Sequence, residues 1–170
     1  MRIRQILCAA AMAAAALAAP AQAATPVTQS DGKALILIPL SLTKIQDLDF
    51  GSIVPSAAPG TVTLNAGTGN RTFTGGVTLV PSDAGFKGYF AGAGTPNQQV
   101  LIALSPPVEL ANASGDKIPV VGLTLDGPPM RTVDPVTRAF FVGVGGTLSI
   151  AANQPVGTYA ANFWVTAIYQ

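Results

Sequence analysis

Asp47 and Asp49 stand two apart, the spacing that on a strand projects two carboxylates from one face. Such a pair could do acid–base work or contribute to a calcium site. Neither chemistry finds the rest of its apparatus nearby, because no further oxygen ligands follow at loop spacing. Both residues are therefore expected to be solvated turn residues, and Asp116, Asp126 and Asp134, each beside Gly or Pro, read the same way. The runs Gly67-Thr68-Gly69 and Gly143-Val144-Gly145-Gly146 are too short for a phosphate cradle, and no helix follows to present its amides to an anion. They are expected to be turns. Asn70-Arg71-Thr72 and Asn112-Ala113-Ser114 match a glycosylation triplet and are expected to be coincidental matches.

The rest of the chemical inventory excludes more than it offers. The 170 residues include no histidine and a single cysteine, Cys8. Ser-His-Asp and Cys-His nucleophile systems, zinc sites with Cys or His ligands, haem ligation and disulfides all need residues that are missing beyond Cys8. No catalytic residue, metal ligand or cofactor is expected, and a structural or adhesive role becomes the default.

Residues 1–23 read as a secretory signal peptide. Arg2 and Arg4 make its basic start, Ile6 to Ala19 its apolar middle, and Ala21-Gln22-Ala23 its small-residue cleavage site. The apolar stretch ends at Pro20, short of the roughly 20 residues that span a bilayer, so no stable membrane span is expected after cleavage. Nine Lys plus Arg face eight Asp plus Glu, and loss of the leader's two arginines leaves seven against eight. Nothing in that balance attracts nucleic acid. Export is then expected to end in the periplasm, at the cell surface or outside the cell, for a single domain over residues 24–170 held together without disulfides. Charged residues make up only 10% of the chain, so much of the surface is expected to meet neighbours.

Positioning falls to strands. All 18 glycines and 13 of the 14 prolines lie beyond the leader and break the sequence every few residues. The runs between them are short and rich in Val, Ile, Leu, Thr and aromatics, the signature of an all-β antiparallel sandwich. The expected strands are 34–45, 60–64, 72–80, 87–91, 99–104, 108–111, 119–125, 138–142, 146–150 and 158–169.

Two runs have unusual content. In the last, Tyr159, Ala161, Phe163, Val165, Ala167 and Tyr169 alternate onto one wholly apolar face. Trp164 and Ile168, on the other face, need cover from a loop or another molecule. The first run carries Leu35, Ile36, Leu37 and Ile38 on both faces, then Pro39, which lacks a ladder donor and marks an edge, bulge or switch of sheet. Such an apolar strand is expected to be either the ordinary first strand of the sandwich or an element exchanged between subunits. The residues before it, 24–33, could form a donor arm, but only Val27 there is large and apolar.

The stretches Asp47-Leu48-Asp49-Phe50-Gly51, Gly88-Tyr89-Phe90-Ala91-Gly92 to Pro96-Asn97, Val142 to Leu148, and Pro155-Val156-Gly157-Thr158-Tyr159 through Tyr169-Gln170 together resemble the domain-of-unknown-function 4402 family of small exported bacterial proteins. The closing Pro-x-Gly-x-Tyr and the alternating strand after it are also similar to spore coat protein U domains and chaperone-usher pilins. That resemblance implies an immunoglobulin-like, pilin-like sandwich, self-association or association with related surface subunits, and assembly through a periplasmic chaperone and usher. It implies no catalytic residues. The chain departs from the common pilin pattern in lacking a cysteine pair and in its short, polar arm. In the matched stretches Phe50 and Tyr159 are expected to plug strand ends, and Gly51 and Gly157 to permit the turns beside them, with the Tyr159 hydroxyl tying a corner. The expected function is a fimbrial or cell-surface subunit that associates through strand pairing. A monomeric secreted carbohydrate- or surface-binding module, using Tyr89, Phe140, Phe141 and Trp164, is the alternative.

Overall fold

The computed structural model describes residues 28–170. The leader read over residues 1–23 and residues 24–27 of the arm lie outside them. The chain divides into two units, Met1–Leu35 and Ile36–Gln170. Of the first, residues 28–35 are exposed and form no strand.

The second unit is all β. Its strands are β1 (Ser41–Gln46), β2 (Ile53–Leu64), β3 (Arg71–Leu79), β4 (Gly88–Ala93), β5 (Gln99–Ser105), β6 (Glu109–Ala111), β7 (Lys117–Leu125), β8 (Met130–Thr132), β9 (Ala139–Ile150) and β10 (Trp164–Tyr169). All pairings are antiparallel. A seven-stranded sheet follows the order β1-β4-β9-β2-β3, with β7 also pairing β9 and β6 pairing β7. A three-stranded sheet, β10-β5-β8, packs over part of it.

The hub is β9, whose residues 139–144 pair with β4 while Gly146–Ile150 pair with β2. Its side chains explain the role. Phe140, Val142, Val144, Leu148 and Ile150 point inward and are buried, the period of two that a half-buried strand requires. Across the sheet, Val62 and Leu64 of β2 are fully buried. The intervening Thr61 and Thr63 hydroxyls meet Thr74 (2.7 Å) and Thr147 (2.9 Å), cross-strand pairs of the kind that lock register. Pro55 falls where β2 pairs only with β3, and Pro59 in the irregular stretch before Gly60 that has no ladder partner, so at both a missing donor is tolerated.

Several expectations are corrected. The strand expected from Ala34 begins only at Ser41, and residues 34–40 belong to no strand. Pro39 removes a donor and restrains its neighbour, so the ladder to β4 starts beyond it. Gly143-Val144-Gly145-Gly146, expected as a turn, is the buried middle of one long strand. A Cβ at Gly143 would stand 2.5 Å from the Ala66 carbonyl oxygen, and one at Gly145 2.2 Å from that of Leu64. The glycines there permit close approach between strands rather than a reversal. The last strand starts at Trp164, not Thr158. Before it, only Ala160 pairs, in an isolated bridge with Ala111.

Candidate functional site

The two layers do not match in extent. Where β5, β8 and β10 cover the large sheet, a sealed core forms around Phe90, Val100, Ile102, Val133, Phe140, Val142 and Val144. Phe163, Val165, Ala167 and Tyr169 close it from β10 and the residue before it. Phe163 meets Phe90 edge-on, with ring centroids 6.2 Å apart and 79° between planes, a favoured aromatic geometry. At the other end a second cluster, Val62, Val77, Ile118, Leu148 and Ile150, is rimmed by Phe50, Ile53, Leu110, Val120 and Tyr159, all of them only half-buried.

An open cleft of about 680 Å³ results. One wall is the face of β2, β6, β7 and β9, and the other is irregular chain at Pro107 and Gln154–Phe163. Each wall is held by polar ties. The Arg71 guanidinium donates to the Phe50 (2.7 Å), Ser52 (3.2 Å) and Val80 (2.8 Å) carbonyls, pinning the turn that carries Phe50 to β3. Gly51 has φ +64°, and a Cβ there would lie 2.3 Å from the Asp83 carbonyl, so the turn tolerates no side chain. Asp49 and Phe86 exchange backbone hydrogen bonds of 2.8 Å, and Asp49 Oδ1 accepts from the Gly51 N–H.

On the facing wall the Tyr159 hydroxyl donates to the Pro155 carbonyl (2.7 Å) and accepts from Gln154 Nε2 (3.0 Å). Gln154, a buried polar side chain, also donates to the Lys117 carbonyl, coupling this corner to β7. Gly157 passes close to Asn112, where a Cβ would stand 2.9 Å from Nδ2. Among the described residues no three His, Cys, Asp or Glu side chains gather as a metal site, and no helix is long and apolar enough to cross a membrane.

Of the residues singled out in the sequence, Phe50, Gly51, Gly157, Tyr159 and Phe163 meet at this cleft. Val165 and Tyr169 belong instead to the sealed core. Trp164 is 70% exposed on the outer face of the small sheet, uncovered by any loop. In the apolar run before β1, Leu35 is 72%, Ile36 92% and Ile38 46% exposed, and Leu37 is half-buried. Its backbone is fastened at Ile38. There the N–H donates to Thr95 Oγ1 and the carbonyl accepts from the Tyr169 hydroxyl, both at 2.7 Å. Tyr169 also accepts from the Thr95 N–H (2.7 Å).

The family model described as Domain of unknown function (DUF4402) matches residues 40–169. The chain belongs to that family. The DUF4402 region therefore contains both cores and the whole cleft, and begins just after the exposed apolar run. No curated protein and no solved structure matches the chain.

Sequence reasoning missed Arg71, Gln154, Leu110 and Val120. Arg71 was hidden inside a glycosylation-like triplet. A polar residue such as Gln154 carries no periodic signal, and its buried position follows only from the corner around it. Leu110 and Val120 were placed on strands, but nothing local tells a covered strand face from an uncovered one.

Proposed function

We propose that the chain is an exported, non-enzymatic structural subunit that associates with like subunits by β-strand pairing, on an immunoglobulin-like, pilin-like sandwich. The observation that carries this reading is the apolar cleft between unequal layers. Half-buried Phe50, Leu110, Val120 and Tyr159 are the residues an added strand would cover. Strand addition supplies main-chain hydrogen bonds for affinity and alternate side chains for register, and it requires no reactive group. The signal-like leader takes the chain out through the inner membrane, and a periplasmic chaperone and an usher are the partners that would guard such a cleft before assembly. Purification at rising concentration tests the reading. A ladder of oligomers resistant to mild detergent supports it, and a monomer at every concentration overturns it. Mass spectrometry of exported protein should give a chain starting at Ala24, and an intact leader removes the export part.

A second reading has one observation in its favour. Tyr89 and Phe141 stack outward on neighbouring strands, centroids 5.8 Å apart and 6° between planes, with Lys87 Nζ 5.6 Å from the Tyr89 centroid. A flat aromatic platform of this kind suits the face of a sugar ring. Phe140 takes no part, being buried. Glycan binding that Phe141→Ala abolishes would support a carbohydrate-binding module, and a chain that binds no glycan removes it.

A further inference from the structure

Among the described residues β1, β3, β6, β8 and β10 each pair on one side only, so each leaves a row of backbone donors and acceptors open. The first four carry protection. β1 holds Lys44 with a register shift beside it, and β3 is kinked at Gly75, where φ is +69° and the ladder to β2 shifts. β6 and β8 are three residues long and hold Glu109 and Arg131 in ion pairs. β10 has none of these devices. From Trp164 to Tyr169 it contains no charge, glycine or proline, and it runs beside β5 without a register shift.

We infer that β10 pairs antiparallel with β10 of a second copy of this chain, across a two-fold axis at Thr166, so that the two small sheets become one. This goes beyond the strand addition proposed above, because no residue of β10 lines the cleft. The backbone sets which registers are possible. The Gln170 N–H donates to the Gln99 carbonyl (3.1 Å), one step beyond the pair Tyr169 and Val100. Bonded pairs alternate along an antiparallel ladder, so Trp164, Thr166 and Ile168 turn their backbone groups to β5. Val165 and Ala167 turn theirs outward, where nothing among the described residues meets them. Two copies satisfy those groups only with the axis on a residue, not between two residues. With the axis on Thr166, Val165 exchanges both bonds with Ala167 of the partner subunit.

The side chains select that residue. Trp164 is 70% and Ile168 52% exposed on the outer face, with Thr166 midway between them and exposed as well. Reversal about Thr166 sets each Trp164 against Ile168 of the partner subunit, an aromatic–aliphatic cross-strand pair made twice. The two Thr166 hydroxyls meet on the axis, as those of Thr61 and Thr74 do within the large sheet. Charge raises no objection, since β5, which backs this face, holds no charged residue either. Such a contact is isologous and closes at two copies. One strand edge and its tryptophan pair bury less than the roughly 800 Å² per partner of a tight complex, so a Kd of about 1–100 μM is expected.

Sedimentation of the purified chain across a concentration series tests the pairing, and it should show monomers passing to dimers. Trp164 is the only tryptophan, so its emission should move to shorter wavelength with the same midpoint. Thr166→Lys and Thr166→Glu each set like charges against each other on the axis and should weaken dimerisation at least about 10-fold. Thr166 is exposed, so both should keep the wild-type melting temperature at low concentration. Mixed one to one, the two variants should again form dimers, each containing one of either kind. Trp164→Ala should weaken dimerisation by about 10- to 100-fold, and it carries the test if a charge variant unfolds. Association that these variants leave unchanged, or a mixture without rescue, overturns this pairing and leaves strand addition at the cleft standing. A wild-type dimer that the variants abolish and that grows no further supports the pairing and removes the ladder expected from the cleft. A wild-type chain that stays monomeric at every concentration overturns both.

Discussion

The two ends of the sandwich use the same strand, β9, and the same residue types, yet one is sealed and the other is open. Around Phe140, Val142 and Val144 the three-stranded sheet lies across the large one, and Val100 and Ile102 of β5 complete a core with fully buried side chains. Around Leu148 and Ile150, themselves buried, part of the opposing layer is irregular chain, and the rim residues Phe50, Leu110, Val120 and Tyr159 stay half-buried. Composition does not separate these regions. What separates them is whether a hydrogen-bonded layer stands opposite, because a paired strand brings apolar side chains over the gap with its backbone groups already satisfied. The cleft is therefore set by the unequal extent of the two layers rather than by the types of residue that line it.

The largest expected effect puts that contrast to a direct measurement. Phe140→Ala, in the sealed core and away from the cleft, should destabilise the chain by about 3–5 kcal/mol in urea unfolding. Phe50→Ala, in the cleft wall, should lower stability by about 1 kcal/mol or less, since its ring is only partly removed from water. Equal losses at the two positions would show that the cleft is closed in solution.

Next in size is the turn under the cleft. Gly51→Ala places a side chain at φ +64° against the Asp83 carbonyl and should cost about 2–3 kcal/mol in urea unfolding at low protein concentration. A neutral result would mean that the turn rearranges freely, and the cleft wall would not be preformed. Tyr159→Phe is milder. It removes the donor to Pro155 and leaves Gln154 Nε2 with the Lys117 carbonyl alone, a loss of about 1–2 kcal/mol in the same assay. Tyr169→Phe makes the matching probe at the sealed end, where the hydroxyl anchors Ile38. It should loosen the segment before β1, seen as faster amide exchange at Ile38, while Tyr159→Phe leaves that exchange unchanged.

How much of this was legible in the sequence follows from the same contrast. Strands with β-branched alternation, such as Thr61 to Leu64 and Val165 to Tyr169, were readable because a period of two reports a buried face directly. The run Gly143 to Gly146 was not. Glycine that lets backbones approach and glycine that reverses a chain are the same residue, and only the neighbouring carbonyls of Leu64 and Ala66 decide between them. Short β8 was hidden by prolines on its near side, and its pairing depends on β5 alone. For the candidate site, Phe50, Gly51, Gly157 and Tyr159 stood out as turn-and-plug motifs at strand ends. Their convergence on one cleft required the topology, because Phe50 and Tyr159 are brought together through β2, β7 and β9 rather than through any local pattern. The apolar run 34–38 stood out by composition, but Pro39 was the residue that decided its fate.

The smallest effect concerns the sealed end and its dependence on pH. Asp134 turns the chain from β8 into β9 just after fully buried Val133, and its Oδ1 accepts from the Thr137 N–H (2.7 Å), the Val136 N–H (2.9 Å) and the Thr137 hydroxyl (3.0 Å). These donors, the Thr137 amide foremost, favour the charged form and hold the carboxyl below its usual range. A depressed folded-state value means that protonation is resisted by the fold, so the contribution to stability is complete above the unfolded-state value of about 3.9 and fades as the pH falls through the lower folded-state value. Asp134→Asn keeps an acceptor oxygen but removes the charge. Its stability relative to wild type should be slightly lower near neutrality, and the difference should vanish in strong acid. Parallel urea midpoints for the two chains across that whole acid range would show that the turn is held by Val133 and the flanking ladders alone. The sealed core would then owe its closure wholly to packing.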